Sequence, residues 1–188
     1  MSVPVAVIPI HENYEGYEPP RYVHPTIDRL LAGVPRQYLS GLQSVVLTNA
    51  AAIGKGKLKA AGKTHSRRNC NGFYHRKWKG EPAWIEIVVD NVVGSRAVTA
   101  KDRFLEGLVD HILFLQDARF SFVLYHELGH HLDATIGALG AAPELTAEAW
   151  ARRLVRLYLR KRHRYVVPFV RAARAIWRRV RSLRANVK

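Results

Sequence analysis

The chain has 188 residues, which fits a single domain, and hydrophobic residues make up 48% of it, which is enough for a buried core. Cys70 is the only cysteine, which excludes an internal disulfide and favours a cytoplasmic protein. The formal net charge is +15, so anionic partners such as phosphate backbones or acidic lipid head groups are expected to be attracted. No uninterrupted apolar run approaches the ~20 residues that cross a bilayer, and a soluble protein is therefore expected.

The N-terminal residues 1–41 are predicted to form an extended arm with one short helix. Five prolines interrupt the first 25 residues: Pro4, Pro9, Pro19, Pro20 and Pro25. The helix is predicted from Thr26 to Leu31, because Gly33 and Pro35 follow it and both residue types end helices. The apolar start has no basic segment before it, so it does not match a secretory signal.

Three stretches predict β-strands: 43–48, 71–75 and 83–90. In the third stretch, Ile85 and Ile87 point to a face that is predicted to be core, whereas Trp84 and Glu86 point to the opposite face. A short basic turn joins the second and third strands, and we expect a small, mainly antiparallel sheet. A fourth stretch, 104–115, is apolar on all sides and predicts a buried packing helix.

Residues 50–68, between the first two predicted strands, form a basic segment. It contains four lysines, two arginines and three glycines. It does not match the phosphate-binding loop, because Lys57 occupies the position of a required glycine. We expect a mobile loop with solvated charges, and contact with nucleic acid or an acidic substrate is the alternative.

The pattern His-Glu-x-x-His at residues 126–130 is the one motif that demands a specific chemistry. Apolar residues at helical spacing surround it and predict a largely buried helix from about Asp117 to Ile136. Two histidines four residues apart lie on one face of a helix, so both imidazoles can reach the same metal ion. Such ligands suit zinc, so we predict His126 and His130 as zinc ligands and Glu127 as a general base.

A third ligand is expected from the next helix, which is predicted to begin at Pro143 and to continue to about Arg164. Glu144 and Glu148 lie 14 and 18 residues after His130. Here the chain resembles the gluzincin class of zinc metallopeptidases, in which His-Glu-x-x-His is followed by a glutamate ligand on the next helix. Glu148 matches that ligand best, because Ala149, Ala151 and Leu154 follow it on a well-formed helix. Glu144 is the alternative ligand, and its position also suits a first-turn acidic residue favoured by the helix dipole.

The resemblance implies a zincin-like α+β core over residues 42–164, with a small sheet packed on the His-Glu-x-x-His helix and the glutamate helix. It implies Zn²⁺ as cofactor and a protein or peptide substrate, whose peptide bond is hydrolysed by Glu127-assisted attack of a zinc-bound water. The metzincin class is disfavoured, because its glycine and third histidine would fall at Asp133 and Ile136.

Further roles follow from the same resemblance. In metallopeptidases of this type an edge strand beside the zinc helix binds the substrate by strand addition, and 83–90, with Trp84 and Glu86, is the candidate. Asp133 is the candidate for orienting a ligating histidine. Arg152 occupies a position where many gluzincins have an aspartate, which leaves the support of one ligand unassigned.

The C-terminal residues 165–188 predict a cationic amphipathic helix. From Ala149 to Lys188 the chain has 14 Lys and Arg and no Asp or Glu. Such a helix docks on its own domain, lies on an anionic membrane or contacts nucleic acid. Together with the basic segment, it supports an alternative function: a basic nucleic-acid-binding protein whose zinc site is structural or non-catalytic.

Overall fold

The structure is a computed structural model that describes residues 8–53, 57–60, 63–94, 109, 111–137, 142–166 and 168. Its six strands are β1 (Ile10–Asn13), β2 (Leu42–Thr48), β3 (Lys57–Ala60), β4 (Lys63–Ser66), β5 (Gly72–His75) and β6 (Ala83–Val88). Its longer helices are α1 (Val23–Ala32), α2 (Val89–Val93), α3 (Leu113–Ile136) and α4 (Pro143–Arg162). The chain is therefore α+β, as predicted.

The main sheet has four strands in the order β1-β2-β6-β5. β1 and β6 both run parallel to β2, and only β5 is antiparallel, to β6. The prediction of a mainly antiparallel sheet is therefore wrong. β1 and β2 can be parallel because the link between them contains α1, and parallel neighbours require a long crossover rather than a tight turn.

The described part of the predicted N-terminal arm belongs to the core. β1 forms an edge of the main sheet, and α1 packs on α3 through an apolar face. Ile27 and Leu30 on that face are fully buried. This segment therefore supplies an edge strand and a packing helix to the fold.

Within the basic segment, β3 and β4 form a separate two-stranded antiparallel sheet, which was not predicted from the sequence. The predicted packing helix over 104–115 lies mostly outside the described residues. So does the predicted basic helix over 165–188, of which only 165, 166 and 168 are described. None of the described helices is long and apolar enough to cross a membrane.

α3 is the central helix, and it contacts α1, β5, β6 and α4. It ends at Gly137, whose φ of 63° is the left-handed conformation common at helix ends. It packs tightly against α4 at Gly129, where a Cβ atom would lie 2.6 Å from the carbonyl oxygen of Ala147. A residue without a side chain at 129 therefore brings the first turns of α4 against the middle of α3.

Asp117 ties the helices together at the far end of α3 from Gly137. Its carboxylate is fully buried and accepts hydrogen bonds from Arg29 of α1 at 2.9 Å and from the Tyr158 hydroxyl of α4 at 2.7 Å. His163, just after α4, contacts the same carboxylate at 2.7 Å through Nε2. A buried carboxylate needs such partners, so this cluster fixes the orientation of α1 and α4 relative to α3.

Candidate metal centre

His126 and His130 lie one turn apart on α3, as the spacing predicts. Both are partly buried, and their ring centroids are 4.9 Å apart with ring planes at 88°. Their side chains emerge on the side of α3 that faces the beginning of α4. The two Nε2 atoms therefore point toward a single space between the helices.

Glu144 completes the group from the first turn of α4. Its Oε2 lies 3.4 Å from His126 Nε2, and its Oε1 lies 3.7 Å from His130 Nε2. Pro143 begins the helix, where its fixed φ suits the first turn and its missing N–H costs no hydrogen bond. The contact between Gly129 and Ala147 then sets how far Glu144 reaches along α3.

The three donors fit a divalent metal ion. One ligand atom from each of His126, His130 and Glu144 lies within 4.8 Å of the others. Ligand atoms about 2.1 Å from a tetrahedral zinc ion lie roughly 3.4 Å from one another, close to the separations found here. Burial lowers the pKa of His130, although the charge of Glu144 opposes the shift, and a low pKa favours the neutral imidazole that binds metals.

Glu148, the third ligand favoured by the sequence, does not approach the histidines. It lies one turn further along α4, where its carboxylate accepts a hydrogen bond from Arg152. The structure therefore brings Glu144 and not Glu148 to the histidines. Arg152, which occupies the position where many gluzincins have an aspartate, pairs with Glu148 on the exposed surface of α4.

Glu127 is buried beside this group, with 8% of its surface exposed. It lies under β5, where a Cβ atom at Gly72 would be 3.1 Å from its Cγ. Burial and the nearby charge of Glu144 raise the pKa of Glu127 to about 8, against a hydrogen bond from the backbone of Tyr74 that lowers it. Its carboxyl group thus lies next to the three donors and is largely shielded from water, whereas the Glu144 side chain is 58% exposed.

The two histidines differ in the interactions that they make with neighbouring residues. The charge of Asp133 raises the pKa of His130, but among the described residues its carboxylate has no hydrogen-bond partner. Nδ1 of His126 is buried and likewise has no partner within the described part of the chain. The predicted role of Asp133 in orienting a ligating histidine stays a prediction.

His131, which belongs to no motif in the sequence, is a structural neighbour of the site. It is fully buried, its Nε2 lies 3.0 Å from the Ser40 carbonyl oxygen, and its Nδ1 lies 3.2 Å from the Tyr74 hydroxyl. Since a carbonyl only accepts, Nε2 carries the proton and Nδ1 accepts from Tyr74. The only signal in the sequence was its adjacency to His130, which turns it to another side of α3.

Trp84 and Glu86 do not lie on an edge strand. β6 is an inner strand, hydrogen-bonded to β2 on one side and β5 on the other, so it has no unpaired edge for a substrate. Trp84 stacks on His75 with centroids 3.7 Å apart, and Glu86 contacts His75 at 3.0 Å and Arg67 at 3.2 Å. The prediction of 83–90 as the substrate edge is therefore wrong.

Comparisons of the chain with protein-family models, with characterised proteins and with solved structures found no match in any of the three. Conclusions about the chemistry of this centre therefore depend on its own geometry.

Proposed function

We propose that this protein is a zinc-dependent metallopeptidase. His126, His130 and Glu144 would be the ligands, and Glu127 the general base. The observation that carries the proposal is the convergence of a carboxylate from α4 on two imidazoles of α3, directly beside a buried glutamate. Three protein ligands of this kind leave one position of a tetrahedral ion for water or substrate, the arrangement of catalytic rather than structural zinc sites.

A zinc ion held by His126, His130 and Glu144 would act as a Lewis acid and would lower the pKa of a bound water molecule from 15.7 to about 7. Glu127 accepts a proton from the attacking water and donates it to the amine nitrogen that leaves, so one side chain acts as base and then as acid. The backbone of Tyr74 interacts with the Glu127 carboxyl group and favours its ionised form. A nearby cation would favour the ionised form of Glu127 and so counteract the effect of its burial.

β5 rather than β6 is the proposed substrate strand. β5 is at the edge of the main sheet and pairs only with β6 within the described residues. Gly72 and Tyr74, at its start and middle, contact or hydrogen-bond the Glu127 side chain. An extended peptide added to the outer edge of β5 would therefore run past the general base and the three proposed ligands.

The arrangement of elements supports a zincin-like fold as part of this proposal. A sheet with one antiparallel edge strand lies against the His-Glu-x-x-His helix, and a second helix supplies a glutamate to the same space. This layering is what the resemblance to gluzincins implies. The proposed zincin-like fold is therefore supported by α3 and α4, which supply the proposed metal ligands, and by the position of β5 beside them.

The test compares wild type with Glu127→Gln, which removes the base but leaves the ligands. We expect about one equivalent of zinc in both proteins and peptide hydrolysis that is roughly 10²–10⁴-fold slower in the variant. Zinc is measured by elemental analysis and hydrolysis with casein and a mixture of peptides. Wild-type protein that binds no zinc, or a variant that cleaves as fast as wild type, would contradict the proposal.

A further inference from the structure

A row of arginines occupies the side of α4 that faces away from α3. Arg152, Arg153, Arg156 and Arg160, which we call the arginine ridge, are all exposed on this side of α4, beside Ala149 and Leu157. Residues 152, 156 and 160 recur every four positions, so they stand on one face about 6 Å apart along the helix axis. The ridge begins eight residues after Glu144 and is therefore separate from the metal centre.

The positive charge of the ridge is only partly compensated. Arg152 pairs with Glu148, and Arg153 lies over the Trp150 ring at 5.1 Å. Arg156 and Arg160 are not paired with any acidic residue that the structure describes. No Asp or Glu occurs anywhere from residue 149 to residue 188. Like charges four residues apart destabilise a helix slightly, so an anion bound along the ridge would relieve a repulsion.

The burial pattern of α4 argues against insertion into a membrane. Its apolar face, with Ala147, Ala151, Leu154 and Tyr158, is buried in the protein. An interfacial helix binds lipid by burying its apolar face between head groups, and that face is not available here. The ridge offers four exposed guanidinium groups and only one exposed large apolar side chain, Leu157, so charge and hydrogen bonds dominate its interaction with an anionic surface.

Arginine is also suited to phosphate. Its planar guanidinium group donates two parallel hydrogen bonds to one phosphate, and its charge does not depend on pH in the physiological range. A nucleic acid carries a continuous line of such phosphates, so one strand can neutralise several residues of the ridge at once. We infer that the arginine ridge of α4 binds the phosphate backbone of nucleic acid, without reading base sequence.

The test uses the full chain and a double variant, Arg156→Gln with Arg160→Gln. The matched control is Arg21→Gln with Arg36→Gln, which removes the same charge from two exposed residues near α1. Binding to a short DNA duplex is measured over a series of KCl concentrations. Each lost phosphate contact should reduce the magnitude of the slope of log K against log[salt] by about 1. The slope should therefore be smaller by about 2 in the ridge variant than in wild type, and the slope of the control should stay close to that of wild type.

The inference is independent of the metallopeptidase proposal, since neither variant touches the metal centre. Equal affinity and equal slope for the ridge variant and the control would overturn it. So would wild-type protein that binds vesicles containing phosphatidylserine and fails to bind DNA. Thermal unfolding of both variants should match wild type, because the replaced side chains are exposed.

Discussion

The choice of third ligand depends on two glutamates that are one turn apart on the same helix. Glu144 lies 3.4 Å and 3.7 Å from the two imidazoles, whereas Glu148 is paired with Arg152. Glu144→Gln should weaken zinc binding by more than the roughly 10–100-fold that loss of a supporting residue causes. Glu148→Gln removes only an exposed ion pair, worth about 0–1 kcal/mol, and should leave zinc binding unchanged.

Titration of metal-free protein with zinc, in competition with a chromogenic chelator, measures both affinities. The two variants have the same change of charge and shape on the same helix, so each controls for the other. Loss of zinc in Glu148→Gln with retention in Glu144→Gln would show that the sequence-based preference for Glu148 was right and that the proposed ligand set is wrong.

At the level of helices and strands, much of the site was predictable because it depends on local periodicity. The motif helix and the glutamate helix followed from apolar spacing and from Pro143. The register of the ligand was not predictable, because Glu144 and Glu148 share a helix face and differ only by about 6 Å along the axis. The contact of Gly129 with Ala147 decides between them, and it is a property of two packed helices.

The direction and order of the strands could not be predicted from the sequence either. β1 has the sequence Ile-His-Glu-Asn, and only its first residue is even partly buried, so it lacks the alternation that predicts a strand. Without β1, the crossover through α1 was not evident and the remaining strands suggested hairpins. β5 takes the edge because it turns back on β6, which places β6 inside the sheet.

Gly129→Ala tests whether this helix contact sets the site. Helix propensity alone predicts a stabilisation of about 1 kcal/mol, because alanine is the better helix former. The new Cβ atom would however lie 2.6 Å from a backbone oxygen of α4, and backbone cannot rotate away. We therefore expect a net loss of about 1–3 kcal/mol, with weaker zinc binding as α4 shifts.

Urea unfolding and zinc titration of Gly129→Ala measure the two effects. Ala134→Gly, at an exposed position further along α3, is the control, and it should lose about 1 kcal/mol through propensity while keeping its zinc affinity. A stabilised Gly129→Ala protein with normal zinc affinity would mean that α3 and α4 are not held by this close approach.

For the whole molecule, the buried carboxyl group of Glu127 links folding to pH in the absence of metal. Its pKa is raised from an ordinary value of 4.5 to about 8 by burial, followed by the charge of Glu144. The folded state therefore holds a proton that the unfolded chain has already released. The resulting stability is fully present below about pH 4.5 and is lost as the pH rises to about 8.

Burial acts in the opposite sense on His130 and His131, whose pKa values are lowered, so their contribution is lost as the pH falls. The comparison of wild type with Glu127→Gln isolates the glutamate, because the variant retains both histidines. In chelator-treated protein, the free energy of unfolding of wild type relative to the variant should fall by on the order of a few kcal/mol between pH 5 and pH 8. Urea denaturation at each pH measures it, and a difference that does not change with pH would contradict a protonated Glu127. Zinc should restore wild-type stability at pH 8, because a cation beside Glu127 favours the carboxylate that burial disfavours.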